Sequence, residues 1–239
     1  MLDNIDWLNS VALLWFLCGW IGYSRFAKRR AKQVDCLASV MHRHRIDWMR
    51  SVFFREIRVS DAAIIANLER NVSFMASTSM LVLAGLVTVL ANSDQVSTLV
   101  AKLPFVLEAA AQHLQIKLLI LVCMFIYAFF TFTWSLRQFG FCSVLIGASP
   151  MVREGELSDE ECELFARHSG KVLDQASHSY NFGLRSYYFA MALLAWFIHP
   201  ALFMAAVALV VGILYHREFH SNSLKALLQV NLDWHKNEQ

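Results

Sequence analysis

Charged residues are scarce in this sequence. Only 17% of the 239 residues are Asp, Glu, Lys or Arg, whereas soluble domains carry about 25%. Hydrophobic residues make up 57% of the chain, and the mean hydropathy is +0.43. This composition argues against an ordinary soluble domain and favours a chain that lies largely in a lipid bilayer.

Motifs for catalysis and metal binding are also lacking. The sequence contains no P-loop, GxGxxG, HExxH or GxSxG pattern, so we expect no enzyme and no catalytic residues. The five cysteines form no CxxC pair, which argues against a zinc site or a disulfide framework. His42 and His44 lie two positions apart and would diverge on a helix. We therefore expect no metal, no cofactor and no nucleic-acid partner.

Apolar runs approach the length that crosses about 30 Å of hydrocarbon. There are four, at about 7–23, 72–91, 116–133 and 187–214. The residues before the first run include Asp3 and Asp6 and no Lys or Arg, unlike a cleaved signal. Isolated open strands cannot satisfy their backbone in lipid. The predicted fold is therefore all-α: a polytopic membrane protein with four transmembrane helices and cytoplasmic helical extensions.

The distribution of Lys and Arg predicts the topology. Residues 25–71 hold eleven, residues 134–186 hold five and residues 92–115 hold one. Basic loops mark the cytoplasmic side of a membrane protein. The prediction is that both termini, including a tail at 215–239, are extracytoplasmic, as is the loop at 92–115. The segments 25–71 and 134–186 are then cytoplasmic.

Helix signals occur in both cytoplasmic segments. Ser60–Asp61 are good N-cap types, and the helix they begin runs without Gly or Pro into the second span and ends near residue 91. Ser158 and Glu161 form a capping-box pattern. Residues 34–58 mix apolar and basic residues, so they either lie on anionic headgroups or pack on the other cytoplasmic helices. Pro104 is placed to open an extension of the third helix.

Hydroxyl side chains enter the second span within the stretch RNVSFMASTSM, at Ser73, Ser77, Thr78 and Ser79. On a helix Ser73 and Ser77 share a face, and Ala84 and Thr88 continue it. Small residues at this spacing allow membrane helices to approach closely, and hydroxyls can bond back to the i−4 carbonyl. The two interpretations are tight helix packing and the polar lining of a pore in an oligomer.

An arginine and an amide recur where three spans meet the predicted cytoplasmic side. The pairs are Arg70 with Asn71, Arg137 with Gln138, and Asn181 with Arg185. If the helices bundle, guanidinium groups beside amides suit a phosphate, a carboxylate or another anion. The alternative is that each arginine only snorkels to the interface.

His199 and Pro200 lie near the middle of the fourth run. An ionisable group at that depth is costly and is a functional candidate. Pro200 leaves the carbonyl of Trp196 without its backbone donor. The imidazole could donate to an exposed carbonyl or relay a proton; alternatively, it is a neutral side chain satisfied by a neighbouring helix.

Several stretches together resemble a known family. They are RNVSFMASTSMLVLAG, FTWSLRQF followed by GASP, NFGLRSYYFA, and REFHS after the last span. The combination resembles a family of bacterial membrane proteins with plant relatives, classed only as a domain of unknown function. The resemblance implies four membrane helices in a bacterial inner membrane and lends no activity or cofactor.

Two functions are consistent with these features. The first is an oligomeric channel or transport protein for anions, with a pore lined by the hydroxyl residues and a basic cytoplasmic mouth. The second is a non-conducting scaffold or regulator whose cytoplasmic helices bind a partner or lipid headgroups. The expected partners are membrane lipids, further copies of the chain and a cytoplasmic protein.

Overall fold

A computed structural model describes residues 2–31, 33–100, 114–150 and 158–236. In these ranges every regular element is a helix, which confirms the all-α prediction. Four helical stretches are long and apolar enough to cross a membrane: Trp7–Arg30, Val59–Ala91, Leu114–Ala148 and Pro200–Val230. The chain is therefore a multi-pass membrane protein.

The helices in chain order have the following bounds. They are α1 Leu2–Leu17, a π-helical turn Cys18–Gly22, α2 Tyr23–Arg30, α3 Leu37–Val52, α4 Val59–Ala91, α5 Ser93–Val100, α6 Leu114–Ala148, α7 Asp159–Leu194, a 3₁₀ turn Ala195–Phe197, α8 Pro200–Phe219 and α9 Asn222–Lys236. The predicted continuous helix through the second span is confirmed as α4, with 33 residues. Pro104 lies outside the described residues.

The predicted capping box is present at the start of α7. The Ser158 backbone N–H donates to Glu161 Oε2 over 3.1 Å, and the Glu161 N–H donates to Ser158 Oγ over 3.3 Å. These bonds satisfy N–H groups that the first turn of a helix leaves without partners. The backbone N–H of Ser158, and then its hydroxyl, hold the pKa of the Glu161 carboxyl below its ordinary value.

The fourth apolar run is divided, contrary to the prediction of one span over 187–214. α7 ends at Leu194, a 3₁₀ turn follows, and α8 begins at Pro200. Pro200 cannot donate to the carbonyl four residues earlier and favours the first turn of a new helix. α7 also continues without interruption from the predicted cytoplasmic helix into the start of this run.

Two compact units make up the chain. Unit 1 comprises residues 1–33, 78–129 and 183–217, and unit 2 comprises residues 34–77, 130–182 and 218–239. α4, α6 and α7 contribute residues to both.

In unit 1 the helices alternate in direction. α1 and its continuation α2 run parallel to α8. Phe16 of α1 packs on Phe203 with ring centroids 5.5 Å apart, and Phe26 of α2 packs on Tyr215 at 6.3 Å. α7 runs antiparallel to α1, with Phe16 also against Phe189 at 6.0 Å. α7 and α8 therefore form a hairpin, and α8 leads the chain back toward the end of unit 1 where α2 ends.

In unit 2 α3 packs on the first half of α7. The Arg45 guanidinium lies 2.6 Å from the Asp174 carboxylate. A Cβ at Gly170 would lie 3.2 Å from the Ile46 Cα, so the two helices approach closely. Of the two alternatives for residues 34–58, these contacts support packing on the other helices.

The C-terminal helix also belongs to unit 2. α9 packs against α3, and the Ala38 N–H donates to Glu218 Oε1 over 3.2 Å. The prediction placed residues 215–239 on the opposite side of the membrane from residues 25–71. In the structure α9 packs against α3, and the side of the membrane on which each segment lies stays a prediction.

Candidate functional site at the helix break

The break between α7 and α8 leaves the Trp196 carbonyl without its usual backbone donor. The His199 N–H donates to the Ala195 carbonyl over 3.1 Å, and the Phe203 N–H donates to the His199 carbonyl over 3.1 Å. Between them the Trp196 carbonyl would require a donor from residue 200. Pro200 has no N–H to give.

Lys117 supplies the missing donor. It lies in the first turn of α6 and is only 1% exposed. Its Nζ donates to the Trp196 carbonyl over 2.9 Å and lies 5.5 Å from the centre of the Trp196 ring. The carbonyl that Pro200 exposes is thus bonded by an ammonium group from another helix.

The Trp196 side chain connects the break to two more helices. Its Nε1–H donates to Asn9 Oδ1 on α1 over 2.8 Å. Its ring stacks on Phe203 of α8, with centroids 4.8 Å apart and an interplanar angle of 9°. We call Lys117, Trp196 and Asn9 the Trp196 joint. The joint ties α1, α6 and α8 to the break.

His199 has a role different from carbonyl donation. Its Nδ1 accepts the Ala201 N–H over 3.1 Å, so this nitrogen carries no proton while the bond exists. The side chain is exposed and caps the first turn of α8, while Pro200 is buried. Lys117, and not the His199 imidazole, donates to the Trp196 carbonyl. A proton relay at His199 stays a prediction.

A carbonyl and an aromatic ring stabilise the charge of Lys117. Among the described residues its polar partner is the Trp196 carbonyl, and the π face of the indole adds a second attraction. Ionisable groups inside membrane helices are costly and mark pathways for ions, protons or substrates. Chemically, a buried cation at a helix break is suited to attract an anion or to exchange a proton.

The hydroxyl stripe on α4 faces away from the rest of the described chain. Ser73, Ser77, Ala84 and Thr88 are all exposed. Thr88 Oγ1 donates back to the Ala84 carbonyl over 2.9 Å. The stripe is therefore available to another copy, to lipid or to water, and does not pack helices within one chain.

The two neighbouring hydroxyl residues of the same stretch are placed differently. Thr78 is half-buried, and Ser79 is fully buried with its hydroxyl 2.8 Å from that of Tyr187 on α7. The bond between Ser79 and Tyr187 is a helix-packing contact of the kind expected for hydroxyls in membrane helices.

The arginine and amide residues occupy varied environments. Arg70, Asn71 and Asn181 are exposed. Arg137 is exposed and lies 5.8 Å from the Phe141 ring, and the half-buried Arg185 lies 5.4 Å from the Tyr23 ring.

Gln138 is the buried member of this group, and its Oε1 accepts a bond from Ser179 Oγ over 2.8 Å. That bond joins α6 to α7 within unit 2. A shared anion site formed by all six residues stays a prediction.

Unit 2 contains an ionic cluster around Asp174 that was not anticipated from the sequence. The Asp174 carboxylate lies 2.6 Å from the Arg45 guanidinium, 3.2 Å from His178 Nε2 and 3.5 Å from His42 Nδ1. Burial acts to raise the pKa of Asp174, but the hydrogen bond and charge of His178, with Arg45 and His42, hold it below its ordinary value. Among the described residues no group of His, Cys, Asp and Glu side chains is arranged to hold a metal ion.

Neither Lys117 nor Asp174 was singled out from the sequence. Two separate signals were available for this contact. Lys117 is a single cation at the start of an otherwise apolar run, and Pro200 leaves the Trp196 carbonyl without its backbone donor. Nothing in the local sequence pairs these positions, because the contact joins residues 79 apart. The partners Arg45 and Asp174 are 129 apart.

Comparison with known proteins identifies a family. No curated protein and no solved structure matches the chain. A family model described as "Protein of unknown function, DUF599" matches residues 11–223, which is most of the chain. The resemblance noted in the sequence is confirmed, and the chain belongs to the DUF599 family.

Proposed function

We propose that this protein is a subunit of an oligomeric membrane channel or transport protein whose substrates are small anions. The observation that carries the proposal is the Trp196 joint: a buried ammonium bonded to the carbonyl at a break between two helices. Interrupted helices and buried ionisable groups are features that transport proteins use to bind substrates and ions.

The exposed face of α4 supports the oligomeric part of the proposal. Only 11% of the most apolar window of Val59–Ala91 is buried, the lowest share among the four candidate spans. That face carries Ser73, Ser77 and Thr88. In lipid, hydroxyls have only their own backbone as partner, whereas a neighbouring copy or water gives them further bonds. We place the path of the conducted anions along this face of α4, between subunits.

The preference for anions rests on cations at the predicted cytoplasmic end of the path. Arg70 is exposed and precedes Ser77 by seven residues, so helical spacing puts it on the same face of α4. Arg137, which belongs to unit 2 together with Arg70, completes the proposed basic mouth. Guanidinium groups recognise anions through several parallel N–H bonds.

We also propose an orientation in a bacterial inner membrane. The packing of α9 on α3 supports a C-terminus on the same side as the basic segment 25–71, and that side is cytoplasmic by its Lys and Arg content. The parallel course of α1 and α8 supports an extracytoplasmic N-terminus. Alkaline phosphatase is expected to be active when fused before residue 2 and inactive when fused after residue 239. An active C-terminal fusion contradicts this orientation.

The proposed activity is tested by ion flux into liposomes that contain the full-length protein. Wild type is expected to pass small anions faster than cations. Lys117→Met is expected to lower anion flux by about tenfold, the effect of losing about 1.4 kcal/mol of attraction for the anion. Lys117→Arg keeps the cation and should retain more flux than Lys117→Met.

Variants of the path and its mouth separate their contributions. Ser77→Leu is expected to reduce flux, while Ser77→Thr, which keeps the hydroxyl, should conduct nearly normally. Arg137→Ala should reduce the anion preference more than the rate. A folded, inserted wild type that passes neither anions nor cations contradicts the proposal. Conduction that none of these variants alters contradicts the assignment of the path.

A second candidate function, a scaffold that binds a cytoplasmic protein, is favoured by the turn between α3 and α4. Phe54, Ile57 and Val59 are 52%, 75% and 72% exposed there. Exposed apolar groups of this kind are typical of interaction sites. Ile57→Asp should abolish partner binding without lowering the melting temperature, and Ile57→Leu should preserve it. Unchanged association of Ile57→Asp with its partner contradicts the scaffold function at this turn.

A further inference from the structure

Cations gather at one end of unit 1. They are Arg25, Lys28, Arg29, Arg30, Arg185 and Arg217, and we call this set the basic end. Apart from the half-buried Arg185, all are exposed. Arg25, Lys28 and Arg29 follow the i, i+3, i+4 spacing that places side chains on one face of a helix.

Tyrosine rings position the two arginines of the hairpin. Arg217 Nη1 on α8 donates to the Tyr188 hydroxyl on α7 over 2.9 Å. The Arg185 guanidinium lies 5.4 Å from the centre of the Tyr23 ring at the start of α2. Phe26 and Tyr215 pack together beside them. Three helices therefore meet at this end through aromatic rings and guanidinium groups.

The acidic positions among the described residues of unit 1 lie in elements at its other end. In the described residues of unit 1 the acidic positions are Asp3 and Asp6, in the first turns of α1, and Asp94 in α5. α1 carries Asn9 at the Trp196 joint, and Gln115 of α6 bonds Ser93 next to Asp94. Among the described residues of unit 1, the basic end therefore carries an excess of positive charge.

We propose that the basic end is a binding surface for anionic phospholipid headgroups of the bilayer in which the protein lies. The cations follow directly on helices of membrane-spanning composition, and Tyr and Phe rings accompany them. Aromatic rings of this kind sit at the headgroup level of membrane proteins. The charged group available at that level is the lipid phosphate, and clusters of Lys and Arg next to a span attract anionic lipid.

The test is lipid binding to the purified full-length protein in detergent, followed by native mass spectrometry and by the melting temperature. Phosphatidylglycerol is expected to bind more tightly than phosphatidylcholine and to raise the melting temperature more. Added salt should weaken the preference, because exposed charges are screened. Equal binding of the two lipids overturns the proposal.

Matched double variants test the site itself. Arg25→Gln with Arg29→Gln should weaken phosphatidylglycerol binding by about 25-fold, at about fivefold per cation removed. Lys171→Gln with Lys225→Gln removes two exposed cations of unit 2 and should leave binding unchanged. An equal loss in both double variants overturns the assignment to the basic end.

Two further controls test whether the loss of binding comes from misfolding and whether a free anion occupies the site instead of a lipid. Arg25→Lys with Arg29→Lys keeps both charges and should keep most of the binding. Inorganic phosphate and a phosphorylated peptide, each added without lipid, should not reproduce the rise in melting temperature. A comparable rise with either one overturns the lipid assignment.

Discussion

Unit 1 and unit 2 stabilise their buried polar groups in different ways. In unit 1 the Lys117 ammonium bonds a carbonyl, the Trp196 indole bonds an amide and Ser79 bonds a tyrosine. In unit 2 the Asp174 carboxylate of α7 pairs with Arg45 and His42 of α3. The buried polar groups named in unit 1 bond neutral partners, whereas unit 2 has oppositely charged partners in addition to neutral bonds such as that from Ser179 to Gln138. The two units should therefore respond differently to mutation, pH and salt.

The largest effect is expected at the Trp196 joint. Trp196→Ala removes the ring stacked on Phe203 and the bond to Asn9, and should lower the free energy of unfolding in detergent by about 3–5 kcal/mol. Trp7→Ala, at an exposed position of the same unit, should cost about 1 kcal/mol or less. Thermal unfolding followed by circular dichroism measures both. An equal loss of unfolding free energy in Trp196→Ala and Trp7→Ala would contradict a special role of Trp196 in stability.

Asp174→Asn is expected to have the next largest effect, and only above acidic pH. Removal of one partner from a largely buried cluster should cost about 2–3 kcal/mol at neutral pH. The folded-state pKa of Asp174 is lowered. Its stabilisation is therefore fully present above the ordinary value of about 3.9 and is lost as pH falls through the lowered value.

The melting temperatures of wild type and Asp174→Asn should accordingly converge below about pH 4. Asp35→Asn breaks an exposed pair with Arg43 and should change stability by about 0.5 kcal/mol or less. A constant difference between wild type and Asp174→Asn from pH 7 to the acid range would contradict the role of the carboxylate charge.

Lys117→Met should cost about 2 kcal/mol, because the buried Trp196 carbonyl loses its donor. Pro200→Ala restores a backbone N–H that can reach that carbonyl. The double variant should therefore recover about 1 kcal/mol relative to Lys117→Met alone. Melting temperatures of the four proteins in a double-mutant cycle give the coupling. Strictly additive effects would show that the two positions act independently.

The smallest effects compare two glycines of unit 2. A Cβ at Gly170 would lie 3.0 Å from Ile46 Cγ1 and 3.2 Å from its Cα, so Gly170→Ala should cost about 1–2 kcal/mol. Gly147 has open space around it, and Gly147→Ala should be neutral or stabilise α6 by up to about 1 kcal/mol. Unfolding in detergent measures both variants. A stabilising Gly170→Ala would contradict the close approach of α3 and α7.

Local signals in the sequence predicted much of the fold. The long α4 and the Ser158–Glu161 capping box follow from residues close together in the chain. The division of the fourth run was not predicted, although its cause, Pro200, was recognised. A proline inside an apolar run is compatible with a kinked span or with two helices. The difference depends on partners such as Asn9 and Lys117, which lie far away in the sequence.

The candidate site was predicted less completely than the fold. The orphan carbonyl of Trp196 followed from helix geometry, but its donor did not, since any polar side chain of another helix satisfies the same requirement. For the α4 stripe, helical spacing put Ser73 and Ser77 on one face. Their exposure in the folded chain depends on tertiary packing and needed the structure.

The bond between Lys117 and the Trp196 carbonyl has an evolutionary consequence. A proline at position 200 creates the requirement, and an ammonium at position 117 meets it, so the two residues stabilise the break as a pair. In relatives without the proline, the residue at position 200 has a backbone N–H that can bond the carbonyl of residue 196, so no buried cation is required. In relatives without the lysine, that backbone donor is the remaining way to satisfy the carbonyl. An alignment of the family should therefore show positions 117 and 200 changing together, as a pair inherited or lost in common.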